Sequence, residues 1–329
     1  MVKYNYSDVK DWNYNLSNIN KVMYNGNEVY RKYTTDEIHP QMHNYLAFVA
    51  IEDGTFTFSG TSRDEIHNSV SYSLDGGETW VSLANGSNTP TVHAGEVIMW
   101  KGTNTPVRPI TTGATEENVG IGEFKSTSKF NVEGNSLSLL FGDRFDEVTP
   151  VEFIAYDYAF DKLLRGCNKL VDASGMVVAG TILPTRCYTH MFWNCTSLTK
   201  APVLPSTMLT MNCYLGMFKG CTSLVIPPRL YATTLAAGCY AEMFEGCTSL
   251  RNAPELPASV LAKDCYDSMF KGCTRLNNVT CLAIDKSAQS PTSGWLINVS
   301  STGRFYKPRG VEWDRNSSGI PSGWTVVNI

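Results

Sequence analysis

The sequence predicts an α+β protein of several domains: an antiparallel β-sandwich-like domain, a short solenoid of repeats and a β-rich C-terminal cap. Segments of the form CYxxMFxxCT begin at Cys187, Cys213, Cys239 and Cys265, 26 residues apart without insertion or deletion. A fixed period of this size is typical of stacked repeat arrays. Ahead of these repeats, short β-rich runs alternate with Gly, Asp, Asn and Pro, which favours an antiparallel sandwich.

Four parts of the chain follow from these patterns. An N-terminal arm covers residues 1–44, and the β-sandwich-like domain covers 45–145. The repeats occupy 146–282, where 158–173 resembles a degenerate first copy. Terminal copies of an array are expected to be atypical because one side meets something other than a repeat. The period is not recognisable after Cys281, and residues 283–329 are predicted to cover the last repeat.

The N-terminal arm is rich in aromatic residues and Asn. Within it, Asn25-Gly26 separates two short runs that contain Val22, Tyr24 and Val29. Asn-Gly between such runs predicts a β-hairpin with a two-residue turn. A lone hairpin is marginally stable, so we expect the arm to dock on another surface.

Seven β-rich runs between residues 46 and 142 are predicted to be strands, the last of them LSLLFG at 137–142. The segment SYSLDGGETW at 71–80 resembles the Asp-box of sialidase-type propellers. It occurs once, so we interpret it as a turn in which Asp75 caps the backbone and Trp80 packs beneath.

Each repeat places Cys, Tyr, Met, Phe and Cys at the first, second, fifth, sixth and ninth positions, as in Cys239, Tyr240, Met243, Phe244 and Cys247. This spacing lies on one face of a helix and predicts a short helical turn that buries the five side chains.

The repeated cysteines are predicted to be core residues. Neither a disulfide framework nor a zinc site is favoured, because the columns repeat regularly and no CxxC is present. A small apolar thiol suits a narrow interior. The predicted core cysteines are Cys187, Cys195, Cys213, Cys221, Cys239, Cys247, Cys265 and Cys273.

The block GCTSL at Gly220–Leu224 and Gly246–Leu250, together with CYxxMFxGC, resembles BspA-type leucine-rich repeats of a 26-residue subgroup. That resemblance implies a leucine-rich-repeat solenoid used for surface adhesion, with recognition of protein or glycan and no catalysis. The arm and the tail GIPSGWTVV at 319–327 are similar to parts of phage virion fibre proteins.

No residue is predicted to be catalytic, and no cofactor or metal is expected. The sequence has no nucleophile elbow, P-loop or dinucleotide motif, and His39 and His43 lack the carboxylate of a zinc protease motif. A carbohydrate-active enzyme that uses acidic pairs such as Glu116-Glu117 or Asp143/Asp146 is the least favoured alternative.

Positions of the repeat outside the buried columns vary from copy to copy, as expected of a recognition surface and equally of neutral drift. The residues predicted to bind a ligand are His190, Trp193, Lys219, Glu245 and Lys271.

A net charge of -4 argues against nucleic acid as a partner. No apolar run approaches the ~20 residues of a membrane span, and the first residues lack the apolar region of a signal peptide. We therefore expect a phage virion fibre-like component of head or tail, made in the host cytoplasm without a signal peptide. Its partners would be virion proteins, reached through the arm, and a host cell-surface protein or glycan; homo-oligomers are left open. The alternative is a bacterial cell-surface adhesin of the BspA type whose signal was removed or lies elsewhere.

Overall fold

The computed structural model describes residues 21–24, 27–31, 43–109, 119–180 and 182–329. Most of the predicted arm therefore lies outside the described residues, as do His39, the turn Asn25-Gly26 and the pair Glu116-Glu117. No helix in the described part of the chain is long and apolar enough to cross a membrane.

Strands dominate the regular structure of the described residues. The strands are β1 Lys21–Tyr24, β2 Asn27–Arg31, β3 Leu46–Ala50, β4 Phe56–Gly60, β5 Ser62–Arg63, β6 Ile66–His67, β7 Val70–Ser73, β8 Val81–Leu83, β9 Val97–Lys101, β10 Gly122–Ser126, β11 Phe130–Asn135, β12 Leu170–Val177, β13 Asn278–Thr280, β14 Gly303–Lys307 and β15 Trp324–Asn328. The helices are α1 Ser138–Phe141, α2 Pro150–Phe153 and a 3-10 turn Gly142–Arg144.

Strands β1 and β2 pair antiparallel with Tyr24 opposite Asn27, which confirms the predicted hairpin. The first large sheet has six strands in the order β12-β11-β3-β9-β7-β8, and β11 and β12 are parallel to each other. A separate pair, β4 and β10, is antiparallel.

An aromatic cluster joins the six-stranded sheet to the β4–β10 pair. Phe48 on β3 contacts Phe124 on β10 edge-on at 5.0 Å, and Phe130 on β11 contacts Phe56 on β4 at 5.2 Å. Trp100 on β9 lies 4.8 Å from Phe124. Edge-to-face rings of this kind add to the area that they bury. The two sheets therefore share one core.

The run LSLLFG was predicted as a strand, and this prediction is wrong. Residues Ser138–Phe141 form α1, all four of them buried. Ser138 Oγ donates to the carbonyl of Trp100 and accepts the amide of Leu46. A short apolar run that is buried on every side carries no periodicity that separates strand from helix.

The Asp-box-like segment forms the predicted turn between β7 and β8. The amide of Thr79 donates to Asp75 Oδ1 at 2.9 Å, and the amide of Gly77 donates to Ser73 Oγ at 2.8 Å. The Trp80 indole donates to the carbonyl of Gly77 at 3.0 Å. These bonds account for the motif as a local turn.

The repeats stack in register through their backbones. Tyr188 N–H donates to the carbonyl of Cys213 at 3.0 Å, and Phe192 N–H donates to that of Met217 at 2.9 Å. The amide next to that of Phe192, Met191 N–H, donates within its own turn to the carbonyl of Tyr188. Alternate amides thus bond to the next repeat and to their own turn.

Every fourth residue of these turns has a positive φ. In one copy these are Arg186 (56°), His190 (54°) and Asn194 (61°), and in the next copy Gly216 (57°) and Gly220 (73°) are the equivalents of the last two. Left-handed residues and amides that bond to another repeat are incompatible with an α-helix, whose amides all bond four residues back. The predicted helical turn is therefore wrong, and each segment is a series of tight turns.

The predicted α+β fold class with a leucine-rich-repeat solenoid is wrong. Among the described residues, the helices are confined to 138–153, outside the repeated segments. The extended parts of the copies that begin at Cys187, Cys213 and Cys239 meet their neighbours at single bridges, such as Lys200↔Ile226 and Met208↔Thr234. Without a continuous strand in each repeat, the repeats do not close into a parallel-sheet solenoid. The molecule is almost entirely small sheets and turns, and we call residues 158–299 the turn stack.

Two columns of parallel rings fill the interior of the turn stack. Tyr214 lies 6.0 Å from Tyr188 and 5.8 Å from Tyr240, measured between ring centroids. Phe218 and Phe244 lie 5.7 Å apart. The same hydrophobic core runs on into the β-sheets without interruption. Strand β12 makes the junction, because it pairs with β11 on one side and bridges Lys200 on the other.

All eight predicted core cysteines are free thiols with 0% exposure. The cysteine at the ninth position of each repeat donates its thiol to a carbonyl of the preceding repeat, as Cys247 Sγ does to Phe218 O at 3.1 Å. Burial raises the pKa of Cys213 to about 12, so this thiol stays protonated at neutral pH.

Stacking continues beyond Cys281, where the sequence pattern is lost. Phe270 N–H donates to the carbonyl of Trp295 at 3.0 Å, and Ser290, Gly294 and Asn298 keep the positive φ of every fourth residue. Trp295 stacks on Tyr266 at 6.4 Å. Strands β13, β14 and β15 then form a parallel sheet at this end.

Replacing Cys239 with serine should destabilise the protein by about 1–3 kcal/mol, because the change buries a hydroxyl. Urea unfolding of the variant measures this loss. In the same assay a reducing agent should leave the midpoint of the wild type unchanged, since the cysteines are free. Unfolding by reductant alone would contradict the free-thiol interior.

Two tyrosines of the same column should respond oppositely to removal of the hydroxyl. Tyr266 Oη is buried and has no hydrogen-bond partner among the described residues, whereas Tyr188 Oη donates to the carbonyl of Ala179 at 3.0 Å. Tyr266→Phe should stabilise by about 1 kcal/mol and Tyr188→Phe should destabilise by a similar amount. Thermal denaturation of the two variants side by side tests this; equal shifts would refute it.

Candidate functional site

The predicted binding residues lie along one edge of the turn stack. Arg165, Trp193, Lys219, Glu245 and Lys271 occupy the same position in successive copies, the position before the Gly-Cys or Asn-Cys pair. His190 and Glu242 lie beside them, three residues earlier in their own turns. We call these seven residues the polar strip.

Backbone hydrogen bonds hold together the two rows of the polar strip: the row that runs from Arg165 to Lys271, and the row of His190 and Glu242. The amide of Trp193 donates to the carbonyl of His190 at 3.0 Å, and the amide of Glu245 donates to that of Glu242 at 3.0 Å. Between repeats, Asn194 N–H donates to the carbonyl of Lys219 at 2.8 Å. Side chains distant in sequence are thereby fixed in adjacent rows.

A chain of ion pairs runs along the strip. Lys219 Nζ lies 2.6 Å from Glu242 Oε2 and 2.7 Å from Glu245 Oε2. Glu245 Oε1 lies 3.2 Å from Lys271 Nζ. At the other end Arg165 Nη2 lies 2.7 Å from Glu123 Oε1 on β10. Partly exposed pairs of this kind contribute little stability, so their main effect is to orient the side chains.

Trp193 is partly buried and lies between the cations of two neighbouring copies. The Arg165 guanidinium carbon is 5.7 Å and Lys219 Nζ is 6.0 Å from the ring centroid. These distances are near the limit of a cation–π contact, about 6 Å. The centroid of the His190 imidazole lies 5.1 Å from the centroid of the Trp193 ring.

His190 fills space that Gly216 leaves open in the next copy. A Cβ on Gly216 would approach His190 Cδ2 to 2.4 Å, so a larger residue at 216 would displace the imidazole. His190 Nδ1 is buried and lacks a partner among the described residues. Burial, followed by the charges of Lys162 and Lys219, lowers the pKa of His190 to about 4. The imidazole is therefore neutral at neutral pH.

The structure places the five predicted binding residues next to one another and brings Arg165, Glu123 and Glu242 to them. That these residues bind a ligand stays a prediction. Arg165 could have been found, because it occupies the strip position of the degenerate copy 158–173. Glu123 could not, because it comes from a strand of the β-sheets that reaches the strip only in the folded chain.

Other residues considered for chemistry have structural partners. Asp143 accepts hydrogen bonds from Lys101 at 2.8 Å and from Tyr45 at 2.7 Å, and His43 lies 3.5 Å from Asp146. Within the described ranges, no group of three His, Cys, Asp or Glu side chains is arranged to hold a metal ion.

No protein family, curated protein or solved structure matches the chain. The BspA-type resemblance therefore stays a prediction from sequence motifs.

Proposed function

We propose that this chain is a non-enzymatic structural and recognition protein, a fibre-like component of a phage virion that contacts the host surface through the polar strip. The observation that carries the proposal is the contrast within each turn. The inner positions repeat Cys, Tyr, Met and Phe, while the strip positions hold Arg165, Trp193, Lys219, Glu245 and Lys271 in register. Such a surface can change its side chains without changing the fold.

The N-terminal arm would attach the chain to other virion proteins. Support comes from the hairpin of β1 and β2, whose paired strands belong to a two-stranded sheet of their own. Because an isolated hairpin gains stability by packing on a larger surface, a neighbouring virion protein is a suitable acceptor.

Two measurements test the proposal. Mass spectrometry of purified virions should detect the chain, and absence from the particles would contradict a virion component. Added purified protein should compete with virions for adsorption to host cells, because it occupies the same receptors. Trp193→Ala should weaken this competition, whereas Lys263→Gln, which removes a charge outside the strip, should not.

The alternative is a bacterial cell-surface adhesin, which the BspA-type motifs favour. Protease treatment of intact cells would then release peptides of the turn stack, and the chain would be missing from virions. In that case the strip would be the adhesive surface of a cell instead of a virion.

A further inference from the structure

We propose that one end of the polar strip, formed by Arg165, His190, Trp193 and Lys219 and called the basic end, binds an acidic sugar residue of a surface polysaccharide. The inference rests on the proposed recognition function and specifies the class of its ligand.

The charge of the strip is divided along its length. The cations that act most strongly on His190 are Lys162, Lys219, Arg165 and Arg186. At the far end, the burial of Asp267 and, after it, the charge of Glu242 raise the pKa of the Asp267 carboxyl, and Glu242 also contacts Lys219 at 2.6 Å. An anion is therefore attracted most strongly to the side of the basic end that Arg165 and His190 form.

The ion pairs at the basic end leave donors for a ligand. Arg165 contacts Glu123 through Nη2 at 2.7 Å, and a guanidinium carries five N–H donors. Lys219 already holds the carboxylates of Glu242 and Glu245, so Arg165 is the cation that receives the carboxylate of the ligand. That carboxylate can join Arg165 without breaking its pair with Glu123.

Trp193 makes a saccharide a better fit than a small inorganic anion. Its ring is partly buried, and both cations lie near the outer limit of contact with it. A sugar ring could replace such loose contacts at small cost, since exposed cation–π pairs contribute about 0.5–1 kcal/mol. The apolar C–H face of a pyranose would pack on the indole while its carboxylate pairs with Arg165.

His190 supports the basic end without adding charge. Its imidazole is neutral at neutral pH and its Nδ1 is buried, so the ring contributes packing beside Trp193 at 5.1 Å. Because its pKa is about 4, the His190 imidazole itself adds no pH dependence to binding between pH 6 and 8.

Calorimetric titration of the full chain with a glucuronic acid oligosaccharide tests the proposal. The comparison probes are the same oligosaccharide with its carboxylates reduced to alcohols, and inorganic phosphate. We expect binding of the acidic form, weaker binding in added salt, and at least about tenfold loss in Arg165→Gln and in Trp193→Ala. Lys263→Gln controls for the loss of a positive charge elsewhere in the turn stack, and circular dichroism checks that each variant is folded.

Several results would overturn the inference. Equal binding of the reduced oligosaccharide would show that the carboxylate is not recognised. Phosphate binding that survives Trp193→Ala, without oligosaccharide binding, would show a plain anion site. If acidic sugar does not bind and Trp193→Ala still abolishes competition for adsorption, the ligand class is wrong and the recognition function stands. If both assays fail, the proposed function fails with it.

Discussion

Replacing Asp161 with asparagine should stabilise the protein at pH 8 and remove much of the dependence of its stability on pH. Asp161 is 1% exposed, and neither carboxyl oxygen has a hydrogen-bond partner among the described residues. Burial raises the pKa of Asp161 to about 7; the charges of Lys162 and Arg165 oppose this rise, and that of Glu123 adds to it. Folding therefore favours the protonated acid.

The sign of the pH effect follows from the two pKa values. The unfolded carboxyl has a pKa of about 3.9, so between about pH 4 and pH 7 the folded state binds more protons than the unfolded state. The free energy of unfolding therefore falls as pH rises through this window and levels off above pH 7. A shift of about three units corresponds to roughly 4 kcal/mol, and because a buried amide also lacks partners, we expect asparagine to recover about 1–3 kcal/mol.

Urea denaturation at pH 5 and pH 8 measures the effect. Asp157 is the matched control in the same turn, because it accepts the amide of Thr185 at 2.9 Å and lies 3.6 Å from Arg108. Asp157→Asn should not stabilise. If the wild type and Asp161→Asn differ by the same amount at both pH values, Asp161 is not the titrating group.

Truncating Phe244 to alanine should cause a larger loss, about 3–5 kcal/mol, because it opens a cavity in the middle of the turn stack. Phe244 has 0% exposure and lies 5.7 Å from Phe218 on one side and 5.7 Å from Phe270 on the other. The remaining rings are held by backbone bonds between repeats and cannot close the gap.

Tyr231, with 36% exposure, is an aromatic of the preceding repeat that lies at the surface. Tyr231→Ala should cost less than about 1 kcal/mol, as usual for surface substitutions. Comparing the urea midpoints of the two variants shows whether the loss of stability depends on the ring being in the interior. A similar cost for both would mean that the ring column contributes no special stability.

The buried residues of the turn stack could be predicted from sequence, but their backbone could not. Side chains one, four, five and eight residues apart lie together on a helix, and they also lie together on a chain that turns every four residues. The distinguishing signal is the recurrence of residues that tolerate positive φ, as in Asn212, Gly216 and Gly220. Read as a period of four, these positions predict turns.

Sequence shows which positions of the polar strip repeat, and the binding role of those positions stays a prediction. His190 and Trp193 are three residues apart in one turn, so their contact is local. The pair of Arg165 with Glu123 depends on how the degenerate copy meets β10. The contact between this copy and β10 is determined by tertiary packing, which local sequence patterns do not encode.

The hydrogen bonds between repeats also determine how the molecule would respond to tension. Between repeats, each turn bonds to the turn before and the turn after, as Tyr214 does to Cys239 and Tyr240 does to Cys265. A load applied to the two ends of the turn stack would fall on the bonds of one terminal turn at a time. The turns would then open in sequence, each absorbing mechanical work before the next is loaded. A tether built this way lengthens by whole repeats under force instead of rupturing in a single event.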